Sequence, residues 1–209
     1  MPTKKEQRQM IAGLISELTA EERVEKSKVV AEQLFATHEY KEAARVMCYV
    51  SLEDEVDTAP IIEKMLSDGK EVSVPVISGN DMTAVSITQD TKFMSRKFGV
   101  KEPLWGVTAD FADLIIVPLR AFDGNCMRLG RGGGYYDRYL AERPYAHTIG
   151  LAFELQYIKK LATEEHDTEL DAVITEKRAI GIIADRRDKP EAPTRHGFLK
   201  RLYDKLTDK

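Results

Sequence analysis

Residues 113–118 read Asp-Leu-Ile-Ile-Val-Pro (DLIIVP), and the chain then passes through 119–127 (LRAFDGNCM) into 128–138, RLGRGGGYYDR. An unbroken apolar run of this length is the pattern of a strand buried on both faces, as in a parallel sheet covered by helices on each side. A helix, YYDRYLAER at 135–143, is predicted directly behind the glycines. Strand, loop and helix in that order are the parts of an α/β crossover unit.

The same alternation extends in both directions. Towards the N-terminus, MTAVSIT (82–88) and EVSVPVI (71–77) read as strands around a Gly79-Asn80-Asp81 turn. Thr58 and Pro60 open a short helix, IIEKML, that stops at Gly69. VMCYVS (46–51) is a further strand, followed by the acidic loop LEDEVD. Before it lie two helices. In the first, between Thr3 and Leu18, Met10, Ile11, Leu14, Ile15 and Leu18 fall at helical spacing; the second opens with a Thr19–Glu22 capping box and runs to about Phe35. Towards the C-terminus, HTIGLAF (147–153) and LDAVITEK (170–177) are strands. The expectation is a three-layer α/β/α fold with a mainly parallel sheet, an N-terminal helical pair and a C-terminal helical tail. Residues 1–184 form the single domain and 185–209 a charged extension, in which Phe198, Leu199, Leu202, Tyr203 and Leu206 mark one helix face.

Composition narrows the class. The chain has 209 residues, 43% apolar and 32% charged, with a net charge of −4. A chain that lacks a basic excess gives no reason to expect nucleic acid as a partner, so any anion site must be a local cluster of Arg and Lys. Cys48 and Cys126 lie far apart with no thiol at metal spacing, and are read as reduced. His38, His147, His166 and His196 form no metal-binding pair. The N-terminal segment lacks the apolar core of a signal peptide, and no apolar run reaches the ~20 residues of a membrane helix. A cytoplasmic, monomeric protein is expected.

The glycine block matches no common phosphate motif. A Walker A loop requires Lys and then Ser or Thr after its last glycine, and a GxGxxG fingerprint begun at Gly130 meets Tyr135 where glycine is required. The physical content remains. Glycine costs conformational entropy wherever regular backbone would serve, so this density implies a close approach to the main chain. Successive backbone N–H groups can gather phosphate oxygens, the start of the following helix adds further donors, and Arg128 and Arg131 supply permanently charged forks. Asp137, in the first helical turn, suits either Mg²⁺ held against phosphates or simple pairing with the helix dipole.

FDGNCMRLGRGGGYYDRYL resembles the signature of the 5-formyltetrahydrofolate cyclo-ligase family. The likeness continues through the basic start KKEQR, YVSLEDEVDT, DLIIVPLRAFD and EEHDTELDAVITE, over residues 3 to 176. It implies an enzyme that uses ATP and Mg²⁺ to close 5-formyltetrahydrofolate into 5,10-methenyltetrahydrofolate. Lys4 and Arg8 then approach the ATP phosphates; Arg128, Leu129, Gly130, Arg131, Gly132, Gly133, Gly134, Tyr135 and Tyr136 form the ATP loop. Arg131 is the catalytic clamp on the transferred phosphoryl group. Val50 and Glu55 match folate contacts, as do Arg131 to Tyr135, and Asp137 and Asp167 match metal ligands. The basic residues at the start of the first helix carry charge where the helix dipole disfavours it, which an incoming polyphosphate offsets. Glu53 and Asp54 are read as solvated loop acids and Trp105 as a packing residue.

Two positions depart from the pattern: Cys126 stands where relatives usually carry glycine, and Gly133 where some carry lysine. Three other readings remain. One is a nucleotide- or polyanion-binding module without catalysis. Another is an α/β transferase or isomerase on phosphorylated metabolites, which would require a carboxylate–histidine pair near the glycines. RNA binding is the third, disfavoured by net charge.

Overall fold

The structure, a computed structural model, describes residues 2–96, 99–109, 111–164, 167–181 and 190. Apart from Pro190, the expected 185–209 extension lies outside these residues.

Helix α1 (Lys4–Ser16) is followed by α2 (Ala20–Ala36) and a short α3 (His38–Glu42); strand β1 (Arg45–Cys48) precedes α4 (Ala59–Ser67). The chain then forms β2 (Glu71–Ser78) and β3 (Asp81–Ile87), a small hairpin of β4 (Phe93–Ser95) and β5 (Lys101–Pro103), and β6 (Leu114–Pro118). A second hairpin, β7 (Ala121–Phe122) and β8 (Arg128–Leu129), precedes α5 (Tyr135–Ala141), β9 (His147–Leu151), β10 (Ala172–Ile174) and β11 (Ala179–Ile180).

Strand β6 is the centre of the core, as its composition predicts. Leu114, Ile115, Ile116 and Val117 are all fully buried. Leu114 and Ile116 pack with Val30 and Leu34 of α2 and Ile61 and Met65 of α4. Ile115 and Val117 face the other way, into a cluster with Tyr139 and Leu140 of α5. Alternate residues of one strand therefore feed two cores, which gives the three layers: α2 and α4, the sheet, and α5. The sheet order is β11-β10-β9-β6-β1-β2-β3. Its five inner strands are parallel, and β3 and β11 close the edges antiparallel.

The order positions the site. From β1 the chain moves to β2 on one side, whereas from β6 it moves to β9 on the other. The carboxyl ends of β1 and β6 thus face a topological switch point, where α/β sheets open a crevice. At the opposite end Asp113 fastens the two strands: it accepts the backbone N–H groups of Ala44 (3.0 Å) and Arg45 (2.9 Å) and pairs with the Arg45 guanidinium at 2.9 Å. Burial works to raise this carboxyl, but the bonds and charge of Arg45 outweigh it and hold it below its ordinary value.

Helix α2 opens with the predicted Thr19–Glu22 capping box, and α1 has a box of the same kind between Thr3 and Glu6. Helix α1 does not cover the sheet. Its buried Ile11 and Ile15 pack on Ala121, Leu129 and Leu161, across the β7–β8 hairpin. Gln7 secures it further, donating to the Lys160 carbonyl (3.2 Å) and accepting from the Ala162 N–H (3.0 Å).

Several expectations change. The strand expected at 46–51 ends at Cys48, and LDAVITEK holds only the three strand residues Ala172–Ile174. The segment LRAFDGNCM is no open loop but contains β7 and the turn into β8. Asp123 organises that turn by accepting N–H bonds from Asn125 (2.9 Å) and Met127 (3.3 Å). Cys126 sits there at φ 58°, a left-handed position natural for glycine. Burial pushes its thiol up to about 11. Trp105, expected to pack, is 68% exposed. Thr58 does begin α4, but its hydroxyl donates to the Tyr49 carbonyl (2.7 Å) and accepts the Ser51 N–H (3.0 Å) instead of capping the helix. The loop after β1 is folded tightly as a result.

Candidate active site

The docking of α1 on the β7–β8 hairpin brings residues from opposite ends of the sequence to one cavity of about 750 Å³. Lys4 and Arg8 line one side, the 128–134 loop the floor, and Pro75, Ile77 and Met82 the far wall, with Asp137 and Asp167 beside the cations. Most of the residues predicted for the ATP and metal sites therefore share one space.

The glycine loop owes its shape to backbone freedom at two positions. Gly132 has φ 103° and Gly134 φ 64°, both left-handed, and Gly134 is the N-cap residue of α5. At Gly133 a Cβ would stand 2.5 Å from the Tyr135 ring, so this aromatic fills the space that a side chain there would need. Over Gly132 lies the Arg8 guanidinium, 3.5 Å from where a Cβ would be, while Arg8 Nε donates to the Gly130 carbonyl at 2.7 Å. Helix α5 has seven residues. Its dipole is correspondingly short, and the positive character of the cavity rests on Lys4, Lys5, Arg8, Arg128 and Arg131.

Arg128 is buried, and its Nη2 meets Asp137 at 2.9 Å. Among the described residues, Arg128 Nε and the Tyr136 hydroxyl are buried without a hydrogen-bond partner. Unmet buried donors are costly, and here both belong to residues that line the cavity. Burial, together with the nearby Cys48 and Glu55, pushes the Tyr136 phenol well above its ordinary range, so it stays protonated. Asp137 also accepts the Thr168 N–H (3.2 Å), which ties it to the segment holding Asp167.

Asp167 is largely buried, its side chain 11% exposed. Its carboxylate takes the Lys4 ammonium at 2.7 Å and the Glu164 N–H at 2.7 Å. Lys4 is also within 2.8 Å of Glu164. Burial acts to lower the Lys4 ammonium, but these two carboxylates outweigh it and hold it above its ordinary value. Among the described residues no group of three or more His, Cys, Asp or Glu could hold a metal. Two carboxylates beside a phosphate-sized cationic site do match Mg²⁺, which takes one or two protein carboxylates and completes its shell with phosphate oxygens and water. The residues present fit that ion only together with a polyphosphate.

Arg131 reaches from the cavity towards the switch point. Its Nε donates to Glu55 Oε1 at 3.0 Å, and its Nη2 to Asp54. Asp54 in turn accepts from Arg120 with its other oxygen. Burial acts to raise the Asp54 carboxyl, but the two arginines overcome it and hold it below the ordinary value. Burial likewise opposes the Arg131 charge, which Glu55 and Asp54 more than restore. Glu55 is buried, its Oε2 accepting the Leu52 N–H at 3.0 Å. Asp54 is thus part of the site where a solvated acid was expected, and Arg120 is a residue that the sequence pattern does not single out. Both follow short strands ending at the switch point, a position legible only once the strand order is known.

Tyr135 lines the cavity, its hydroxyl donating to the Gly79 carbonyl at 3.2 Å, with the Arg138 guanidinium 5.2 Å from its ring. Leu129 is buried under α1 and contributes backbone. Val50 opens instead onto a separate cavity of about 610 Å³ beside α4, with Ile62, Phe93 and Lys101. The structure does not bring it to the glycine loop.

The chain is similar to known proteins of one family. The sequence profile of the 5-formyltetrahydrofolate cyclo-ligase family matches residues 1–176. The mouse 5-formyltetrahydrofolate cyclo-ligase is 32% identical, with 76% of this chain and 86% of that protein covered. The Escherichia coli enzyme of the same name is also 32% identical, over 76% of this chain and 92% of that protein. Among solved structures, the Aquifex aeolicus 5,10-methenyltetrahydrofolate synthetase superposes with a TM-score of 0.76 at 30% identity, covering 92% of this chain and 97% of its own.

Proposed function

The chain belongs to the 5-formyltetrahydrofolate cyclo-ligase family, and from that premise we propose that it closes 5-formyltetrahydrofolate to 5,10-methenyltetrahydrofolate, with ATP as co-substrate and Mg²⁺ as cofactor. The observation that carries the ATP and metal assignments is the convergence of Lys4, Arg8, Arg128, Arg131 and the glycine loop on one cavity beside Asp137 and Asp167.

The chemistry explains why such a site is required. A formamide oxygen leaves poorly, so the γ-phosphoryl group of ATP is transferred to it and ADP departs. The folate N10 then attacks the activated carbon, closes the ring and expels phosphate. Phosphoryl transfer demands positioning and charge neutralisation more than covalent help from the protein. In this reading Lys4 and Arg8 bind phosphate oxygens, with Arg8 already fixed over Gly132. Arg128 offers its unmet Nε, and Arg131 clamps the transferred group. The Tyr136 phenol stays a neutral donor, and Tyr135 faces the folate side. Mg²⁺, held by Asp137 and Asp167, would neutralise phosphate charge. Glu55 suits the donor-rich edge of a pterin ring, where a carboxylate accepts two hydrogen bonds.

We further read residues 1–184 as a single catalytic domain of a cytoplasmic monomer. No described helix is long and apolar enough to cross a membrane. The test is direct: purified protein, ATP, Mg²⁺ and 5-formyltetrahydrofolate are mixed and the near-ultraviolet absorbance of the methenyl product is followed. The expected result is a rise that requires ATP and metal and disappears in Arg131→Ala. ATP binding without any rise would instead indicate a polyanion-binding module.

A further inference from the structure

The cyclo-ligase function makes Arg131 the clamp on the transferred phosphoryl group, and the role inferred here for its neighbours rests on that assignment. In the structure the guanidinium is not directed at an empty cavity. Its Nε is bonded to Glu55 Oε1 at 3.0 Å and its Nη2 to Asp54. Glu55 is also the carboxylate suited to the folate ring, and its second oxygen is already held by the Leu52 N–H. A ring edge that presents two donors to Glu55 must compete with Arg131 for the same oxygen. Each carboxylate oxygen can accept a second bond, but a ring edge sharing Oε1 would loosen the Glu55–Arg131 pair from its present form.

Something must keep Arg131 beside the cavity once Glu55 is taken. It is a long side chain, 44% exposed, on a loop whose glycines leave the backbone few steric restraints. Asp54 is placed to hold it. One Asp54 oxygen bonds Arg131 and the other bonds Arg120. Arg120 is a rigid base: its side chain is 11% exposed, its N–H donates to the Leu129 carbonyl at 2.7 Å, and its carbonyl accepts from Gln156 at 3.1 Å. It follows β6 directly, while Asp54 lies in the loop after β1, so the chain Arg120–Asp54–Arg131 crosses the switch point. We propose that Asp54, pinned by Arg120, is a positioning residue on which Arg131 pivots when Glu55 passes to the folate, coupling folate occupancy to phosphoryl clamping. Neither Asp54 nor Arg120 need touch a substrate for this.

Four variants test it in the cyclisation assay, with kcat and both KM values measured and thermal midpoints as the check on folding. Asp54→Asn keeps the shape and removes the charge; Arg120→Met removes the anchor. Each is expected to lower kcat by about 10- to 100-fold, the scale of a misplaced catalytic group, while the folate KM stays within about threefold. The double variant should be no slower than Asp54→Asn, because both changes act through one arginine. Arg120→Lys should recover part of the loss. A raised folate KM at unchanged kcat would make Asp54 a folate contact and overturn the proposal, as would additive losses or no loss. If the unmodified protein makes no methenyl product, the cyclo-ligase reading fails and the proposal falls with it. Full activity in both single variants sinks the proposal alone.

Discussion

Gly132→Ala tests the glycine loop most directly. Gly132 holds φ 103°, a region that residues with a Cβ rarely adopt. The added methyl would stand 3.5 Å from the Arg8 guanidinium carbon, an ordinary contact. The penalty is therefore backbone strain alone, on the order of 1–3 kcal/mol. It can appear in two places. If the loop keeps its shape, the native state carries the strain, and at about 2–4 °C per kcal/mol the thermal midpoint falls by roughly 2–12 °C. If the loop relaxes, the midpoint is spared, but the nucleotide must restore the strained form. At ~1.4 kcal/mol per decade, ATP affinity then drops by roughly 5- to 140-fold. The two shares sum to the same energy. Gly130→Ala is the control: it adds the same methyl, 3.6 Å from Arg128 Nη1, at a position without a left-handed φ. Differential scanning calorimetry and ATP titration of both variants measure the shares. The reasoning is refuted if Gly132→Ala loses neither stability nor affinity beyond Gly130→Ala.

Two further outcomes are expected. Asp113 is held below its ordinary carboxyl value in the fold, so its contribution is complete above the unfolded value of about 3.9 and disappears as pH falls through the lower folded one. Asp113→Asn should accordingly flatten the acid limb of a midpoint-against-pH curve below pH ~4, and at neutral pH cost about 1.5–3 kcal/mol for its charged hydrogen bonds. Lys4→Met removes ion pairs worth only about 0.2–1 kcal/mol at such a part-exposed place. Its midpoint should hardly move, while the KM for ATP rises about tenfold through the lost phosphate contact, as steady-state kinetics would show.

Legibility in the sequence followed a physical divide. Strand β6 was readable because both of its faces are buried, so each of Leu114, Ile115, Ile116 and Val117 carries the same signal; the Thr19 box was readable because capping is local. The glycines and arginines pointed to an anion site, and the structure gathers them with Lys4 and Arg8 around one cavity. What failed depends on contacts distant in sequence. The β7–β8 hairpin has two-residue strands, too short for any period, and its left-handed turn residue is Cys126, which hides the usual glycine sign. Asp54 looked like one more acid in an acidic loop until Arg120, 66 positions away, turned out to be its partner. The pairing of Asp167 was hidden for the same reason, since its cation is 163 positions away on α1.

That separation also orders events during synthesis. The hydrogen bond from Arg8 to Gly130 spans 122 positions and that from Lys4 to Asp167 spans 163. At about 5–20 residues per second, α1 leaves the ribosome roughly 10–30 s before its carboxylate partner has been made. Until the β7–β8 hairpin has been made Ile11 and Ile15 have nothing of it to cover them, and the helix is an amphipathic peptide waiting on a nascent chain. The sheet can assemble without it. The cavity between α1 and the 128–134 loop cannot, so it is completed only after most of the sheet strands have been made.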